Sequence, residues 1–379
     1  MMFILLILPA LVAVLIDWAR YRFMKPERRP SRRRWLAFLV ADTLPLWMLL
    51  LFSMADNTPT VMRIMMWIIW AWLFFVLPRM LYYLFCLLRC ALIGRVVAWV
   101  IAGLLLYGVV WGRSNLMVNE VEICAKELPD AFEDYRIAHF SDLHLGTLVH
   151  TRGEVSRLVE QINAAHPDLV CFTGDLVNIR ASELDETAME LLQQIEAPVV
   201  SILGNHDIGS YIRDTITLSP LESTRQLIAR QQQIGWTLLQ DSTLYLRRGN
   251  DSISLSGLSF DRALRHDRHN SDLPLTGAER TYHNVPDSLY NITLVHVPQL
   301  WLPIVERGYG DLTLSGHVHA MQLKLFGWSP AQWMYTRWSG RYEEQGSTLY
   351  INDGIGYVGY PMRIGADPEL TIYTLKRCE

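Results

Sequence analysis

The chain has 379 residues, of which 51% are hydrophobic and 19% charged, and its mean hydropathy of +0.15 argues against a wholly soluble protein. Its net charge of -4 conceals two unlike parts: residues 1–113 hold 13 Lys and Arg against 4 Asp and Glu, whereas residues 114–379 hold 21 against 34. The acidic second part excludes a nucleic-acid backbone binder, which needs basic surface to displace counterions from phosphates. All 11 histidines lie in the second part and 8 of the 13 tryptophans in the first, so membrane chemistry precedes site chemistry.

Met1 to Ile16 is apolar and ends at Asp17 without a small-residue cleavage site, which points to a retained anchor. A loop with Arg20, Arg22, Lys25, Arg28, Arg29, Arg32, Arg33 and Arg34 follows, and such a loop stays cytoplasmic. Further apolar spans run from about Trp35 to Met54, Val61 to Leu77 and Val96 to Gly112, each near the ~20 residues that cross a bilayer. The loop with Asp56 and Asn57 has no basic residue, while Arg79, Arg89 and Arg95 lie between the third and fourth spans. Four crossings place the second part on the extracytoplasmic side. Met80 to Leu88 leaves another count open, since a fifth crossing there would put it in the cytoplasm. Asp42, the single acid inside a span, is expected to snorkel to the basic end of its helix, with no second acid to form a relay.

After a connector at 114–134, apolar and β-branched runs mark buried strands at Arg136 to Phe140, Leu169 to Thr173, Val199 to Leu203, Ile253 to Leu258, Ile292 to Val295, Leu312 to Leu314, Leu349 to Ile351 and Leu370 to Thr374. Val155, Leu158, Val159 and Ile162 form one face of a helix with a capping box from Thr151 to Glu154; Leu184 to Ile195 and Glu222 to Gln233 repeat the pattern. The alternation predicts an α/β domain over 135–379, with packed sheets and helices outside. The five cysteines contain no CxxC pair and give no disulfide framework or zinc ribbon, and Cys171 reads as a core residue.

Ser141-Asp142-Leu143-His144, Gly174-Asp175-Leu176-Val177-Asn178, Gly204-Asn205-His206-Asp207, His296 and Gly316-His317-Val318-His319 each follow a predicted strand, at the end where α/β folds assemble ligand sites. Carboxylates and imidazoles suit two divalent ions, and Asp175 is the natural bridge. These blocks, in this order, resemble the calcineurin-like metallophosphoesterases over roughly residues 135–375. The motifs around Trp338-Ser339-Gly340, Gly354-Ile355-Gly356 and Pro361-Met362-Arg363 resemble its membrane-attached or exported bacterial branch, hence a bacterial inner membrane.

The resemblance implies a four-layer α-β-β-α sandwich of two mixed sheets. It implies one metal on Asp142, His144, Asp175 and His319 and a second on Asp175, Asn205, His296 and His317. The two ions would be manganese, iron or zinc, holding a bridging hydroxide that attacks phosphorus. His206 matches the position that protonates the leaving oxygen, with Asp207 or Asn178 as orienting partner and Asn205 beside it. Where the related branch reads GHTHGGQ, this chain carries Ala320 and Met321 in place of the two glycines, which puts transfer of a relative's substrate in doubt.

His139 reads as a core histidine, His150 and His166 as surface residues, and His266, His269 and His283 as part of a polar loop from Arg262 to Pro286. Arg363 has the planar fork to contact a substrate phosphate, and an ordinary salt bridge explains it equally well. The aromatic-rich segment Leu323 to Tyr342 is expected either to pack as core or to form an apolar wall against a bilayer. The expected activity is a membrane-anchored phosphohydrolase acting on a phosphodiester or pyrophosphate, in a lipid or lipid-linked substrate if that wall exists, and not on nucleic acid. The alternatives are a pyrophosphatase for a nucleotide-linked glycolipid on the cytoplasmic face and a metal-stabilised scaffold without catalysis.

Overall fold

The computed structural model describes residues 2–53, 57–213, 218–260, 275 and 277–378. His266, His269 and Asp56 lie outside the described residues. The chain divides into two units, Met1–Trp111 with Val358–Ile364 and Gly112–Tyr357 with Gly365–Glu379.

Among the described residues the first unit holds the α-helices α1 (Met2–Phe23), α2 (Arg32–Ser53), α3 (Pro59–Leu87) and α4 (Ala91–Val110). Thr58 caps α3 by accepting from Val61 N, with Pro59 pre-set for the first turn, and no charge interrupts the helix between Arg63 and Arg79. Met80 to Leu87 continues α3, so that stretch is no separate helix. At 29 residues α3 is about 43 Å long at 1.5 Å per residue. Among the described residues, α3 and the helical stretch Ala91–Ser114 are long and apolar enough to cross a membrane.

α1 runs past Asp17, which corrects the sequence boundary and the reading of Asp42. Asp17 and Asp42 are both buried, and Arg79 of α3 pairs with both, standing 3.4 Å from Asp17 and hydrogen-bonded to Asp42. A second acid is therefore present, and Asp42 is paired inside the unit instead of snorkelling. The segment 358–364 joins this unit by packing on α4: a Cβ at Gly108 would lie 2.7 Å from Ile364 Cγ1, and Arg363 N donates to Gly108 O at 3.2 Å.

The second unit is built on two six-stranded sheets. The first has β1 (Met117–Ala125), β12 (Glu369–Arg377), β2 (Arg136–Phe140), β3 (Leu169–Phe172), β4 (Val199–Ser201) and β5 (Thr237–Leu238) side by side. The second has β10 (Gly340–Glu344), β11 (Ser347–Ile351), β9 (Leu312–Ser315), β8 (Asn291–Leu294), β7 (Asp251–Gly257) and β6 (Ser242–Arg248). Ile137, Leu169, Cys171 and Val200 of the first sheet share one apolar cluster with Leu255, Ile292, Leu294 and Leu314 of the second, so the core lies between the sheets. α5 (Thr151–Ala164), α6 (Glu186–Leu192) and α7 (Pro220–Gln233) belong with the first sheet, and the short α8 (Ala278–Thr281) and α9 (Trp301–Val305) with the second. The expected α/β sandwich of mixed sheets is present.

Three local readings need correction. Residues 114–134 contain β1, paired in parallel with β12 from Met117↔Glu369 to Ala125↔Arg377, and so are more than a connector. Glu154 does reach back to accept from His150 N at 3.2 Å, but Thr151 lies inside α5 and makes no cap. A disulfide joins Cys124 to Cys378, Cα atoms 5.4 Å apart, where the sequence offered no pairing; the 254-residue separation hides a contact that only the β1–β12 register creates.

Cys124→Ser should therefore lower the domain's stability by about 2–4 kcal/mol. Thermal melting of the full chain with and without reductant checks this, and reductant should not shift the variant further.

Candidate metal centre

Every ligand block sits just beyond a strand end, where the backbone turns sharply. Asp142, His144, Asp175, His317 and His319 all have positive φ, between 45° and 74°, a conformation that costs an L-residue about 1–2 kcal/mol. Neighbouring loops hold these turns: Asp142 N donates to Gly174 O at 2.9 Å and His144 N to Asp175 O at 3.0 Å. Glycine is required where loops cross, since a Cβ on Gly204 would lie 2.6 Å from Asp175 N.

Three groups result: Asp142 with His144 and His319, His144 with Asp175 and His206, and Asp175 with His296 and His317. Asp175 belongs to two of them. Its Oδ2 is 3.1 Å from His296 Nε2 and 3.8 Å from His144 Nε2, while Oδ1 accepts from His206 N at 2.8 Å. His319 Nε2 is 3.1 Å from Asp142 Oδ1, and Asn205 Oδ1 is 2.9 Å from His296 Nε2.

Two nitrogen pairs test whether these residues fit metal ions. His144 Nε2 faces His319 Nε2 at 3.2 Å, and His317 Nδ1 faces His296 Nε2 at 3.2 Å. Two nitrogens bound to one ion at about 2.0–2.1 Å stand about 3.0–3.4 Å apart, the edge of an octahedron or tetrahedron. Asp142 Oδ1 is buried without a well-aligned donor, as a carboxylate oxygen kept for a cation would be. The residues singled out from sequence thus fall in one cluster, in which Asp175 links the His144 side to the His296–His317 side.

The electrostatics agree. Burial would raise the carboxyls, yet the imidazoles of His319, His296 and His144 hold Asp142 well below the usual range, and those of His296, His206 and His144 do so for Asp175. Burial also opposes charging of His296, but the Asp175 carboxylate draws it up to about 9. Burial pushes His317 down to about 3 and lowers His206. The cluster is acidic at its centre and calls for cations.

Groups behind the ligands fix their orientation. His296 Nδ1 lies 2.8 Å from Thr173 O and His206 Nδ1 2.6 Å from Asn178 O, so each ring presents its Nε2 to the site. Asn178 therefore acts through its main-chain carbonyl. Asp207 does not orient His206; its buried carboxylate accepts from Asp175 N at 2.7 Å, Gly204 N at 2.9 Å and Val177 N at 3.1 Å, pinning two ligand loops together. Burial and the Asp175 charge push Asp207 up to about 7.

Tyr211 and Glu183 belong to no motif that marks them in the sequence. Tyr211 stacks on His206 with ring centroids 4.2 Å apart, and its hydroxyl accepts from Asn205 Nδ2 at 2.9 Å, which turns the Asn205 oxygen toward His296. Glu183 accepts from Asn178 N at 2.5 Å and Ile179 N at 3.0 Å, bracing the loop that carries the His206 partner.

His139 is a core residue between Tyr373 and Thr173, at 2.9 Å from each, and burial lowers it to about 3. His150, His166 and His283 are exposed, as expected. Arg363 is fully buried and falls in 358–364, outside the unit that carries the ligands. Ala320 and Met321 have φ of 46° and 48°, so the backbone that suits two glycines is kept although the side chains are not.

Residues 135–321 match the calcineurin-like phosphoesterase family. An uncharacterized metallophosphoesterase, YkuE, of Bacillus subtilis is 30% identical over 268 residues, covering 68% of this chain and 85% of that protein. The chain is a calcineurin-like metallophosphoesterase. It is accordingly a metal-dependent phosphoric ester hydrolase of a dimetal family. A protein of Danio rerio named transmembrane protein with metallophosphoesterase domain is 31% identical over 285 residues, or 73% of this chain, and its Bos taurus namesake is 28% identical over 268 residues, or 67%. This chain spans only 61% and 56% of those two proteins.

Two outcomes are expected. Tyr211→Phe, which keeps the ring and removes the hydroxyl, should weaken binding of one of two divalent ions by about tenfold or more, measured by calorimetric titration of chelator-stripped protein. Ala320→Gly should leave the melting temperature unchanged or raise it, because relief of a left-handed alanine, about 1 kcal/mol, offsets the entropy of a glycine.

Proposed function

We propose that this chain is a membrane-anchored phosphohydrolase, with two metal ions held by Asp142, His144, Asp175 and His319 and by Asp175, Asn205, His296 and His317. It cleaves a phosphodiester or pyrophosphate on the extracytoplasmic side. The observation that carries the chemistry is the shared Asp175 between two half-sites of matched N···N spacing. When bound, the ions supply the activated water and offset charge developing on the phosphoryl oxygens.

His206 is the acid in this reading. Its Nδ1 is committed to Asn178 O, which leaves Nε2 to hold a proton and deliver it to the departing oxygen. Asp207 and Glu183 keep the two loops in register, and Tyr211 holds Asn205 and His206 as one unit.

Membrane anchorage is supported by α3 and α4 and by the names of the zebrafish and bovine relatives. The extracytoplasmic side is supported by the Cys124–Cys378 disulfide, which persists in an oxidising compartment, together with the basic loop after α1. If both cysteines were fully alkylated in protein taken directly from cells, the domain would be cytoplasmic, and cleavage of a nucleotide-linked glycolipid pyrophosphate would become the better reading.

The activity is tested with the purified full chain on bis(p-nitrophenyl) phosphate. Manganese should support turnover, and chelator or Asp175→Ala should abolish it. His206→Asn should lower kcat by about 10²–10⁴ for an alkyl leaving group and much less for p-nitrophenolate, which leaves without protonation. No turnover of any phosphoester by folded, metal-loaded protein would favour a scaffold instead.

A further inference from the structure

The segment soon after His319 differs from the rest of its unit in what it exposes. Its three cations are each paired with a carboxylate of the same unit, Lys324 with Asp353, Arg337 with Glu344 and Arg341 with Glu343, so what the segment offers outward is aromatic. Leu325 and Trp328 pair as a minimal hairpin, their backbones exchanging two hydrogen bonds of 2.9 Å, with Phe326 and Gly327 in the left-handed turn. That turn places Phe326 at the tip, fully exposed, where burial in the core is impossible. Trp333 is 73% and Trp328 40% exposed, and the two rings meet edge to face at 5.3 Å. The base of the hairpin is rigid: Ser329 Oγ donates to Ala320 O at 2.7 Å, and Tyr335, Met334 and Trp338 pack with Trp301 and Leu349.

We propose that the hairpin 324–333 is a membrane-dipping element, with Phe326, Trp328 and Trp333 seated among the lipids of a bilayer surface. The partner is a lipid surface because exposed indole rings beside an apolar tip suit the headgroup region, where indole rings are favoured and a phenyl ring reaches the acyl boundary. Chain path supports the same choice. The Lys324 carbonyl lies against Gly365, leaving no room for a Cβ there, and Gly365 is the first residue after the segment 358–364 that groups with the apolar helices. The base of the hairpin thus adjoins the point where the chain returns from the membrane unit.

The element also adjoins the metal centre. Tyr335 meets His317 edge to face at 6.2 Å, and Ser329 holds the carbonyl of the residue after His319. A hairpin among lipids would present the centre to phosphoesters at the bilayer surface, which deepens the proposed function and rests on its membrane anchorage.

The test places a benzoylphenylalanine photoprobe at Phe326 in the full chain, reconstituted into vesicles of phosphatidylethanolamine and phosphatidylglycerol. Parallel probes sit at Phe75, exposed on α3, and at Tyr245, exposed on β6. The expected result is lipid adduct at Phe326 comparable with that at Phe75, and none at Tyr245. Adduct at Phe75 without adduct at Phe326 would overturn the hairpin proposal and leave the anchor standing. Absence of adduct at both Phe75 and Phe326 would overturn anchorage and hairpin together. Equal adduct at Phe326 and Tyr245 would also overturn the proposal, because the lipid contact would then be nonspecific.

Discussion

Two carboxylates buried among imidazoles are the constraint on which the catalytic unit depends. Asp142 and Asp175 are almost fully removed from water, and an isolated buried carboxylate is too costly for a folded protein to carry. The unit meets that cost by surrounding them with His144, His206, His296, His317 and His319 and with backbone donors such as His317 N, 2.9 Å from Asp142 Oδ2. These residues come from five strand ends in two sheets, so the sandwich must close before any of the charge is compensated. The strained ligand backbones follow from the same demand, since the residues that must point inward sit at turns tighter than L-residues prefer.

The candidate ligands were legible in the sequence because each stands just past a short apolar run, and such runs announce strands. The eight strands read from those runs are present with shifts of a few residues at their ends. The strands that escaped are of a different kind. β1 alternates charged and apolar residues, with Glu120 and Glu122 outward, and β6 and β10 are half-exposed edges whose identity comes from pairing. Local pattern cannot see a partner that lies far along the chain, and β1 needs β12.

The same blindness to long-range pairing explains the other differences. The Cys124–Cys378 disulfide depends on a parallel register across the whole domain, and the Asp17–Arg79–Asp42 cluster on three helices meeting. The resemblance offered Asp207 or Asn178 as the partner of His206, yet in a tight turn adjacent side chains diverge, and the Asp207 carboxylate turns to the backbone of two loops. Glu183 and Tyr211 carry no motif at all. Their roles arise from where loops happen to cross, which composition and spacing do not encode.

The grouping of 358–364 with the helices has a consequence for how the two units can be parted. A protein fixed by one terminal stalk is set free by a single proteolytic cut, as shed ectodomains are. Here a cut near Gly112 would leave the catalytic unit still held by Tyr360, Met362 and Ile364, which lie in the same unit as α4. If that segment were pulled out, it would expose apolar side chains and invite aggregation. The two units therefore stay joined after such a cut, and a form lacking the first unit would have to redesign an internal loop as well as remove the N-terminal helices.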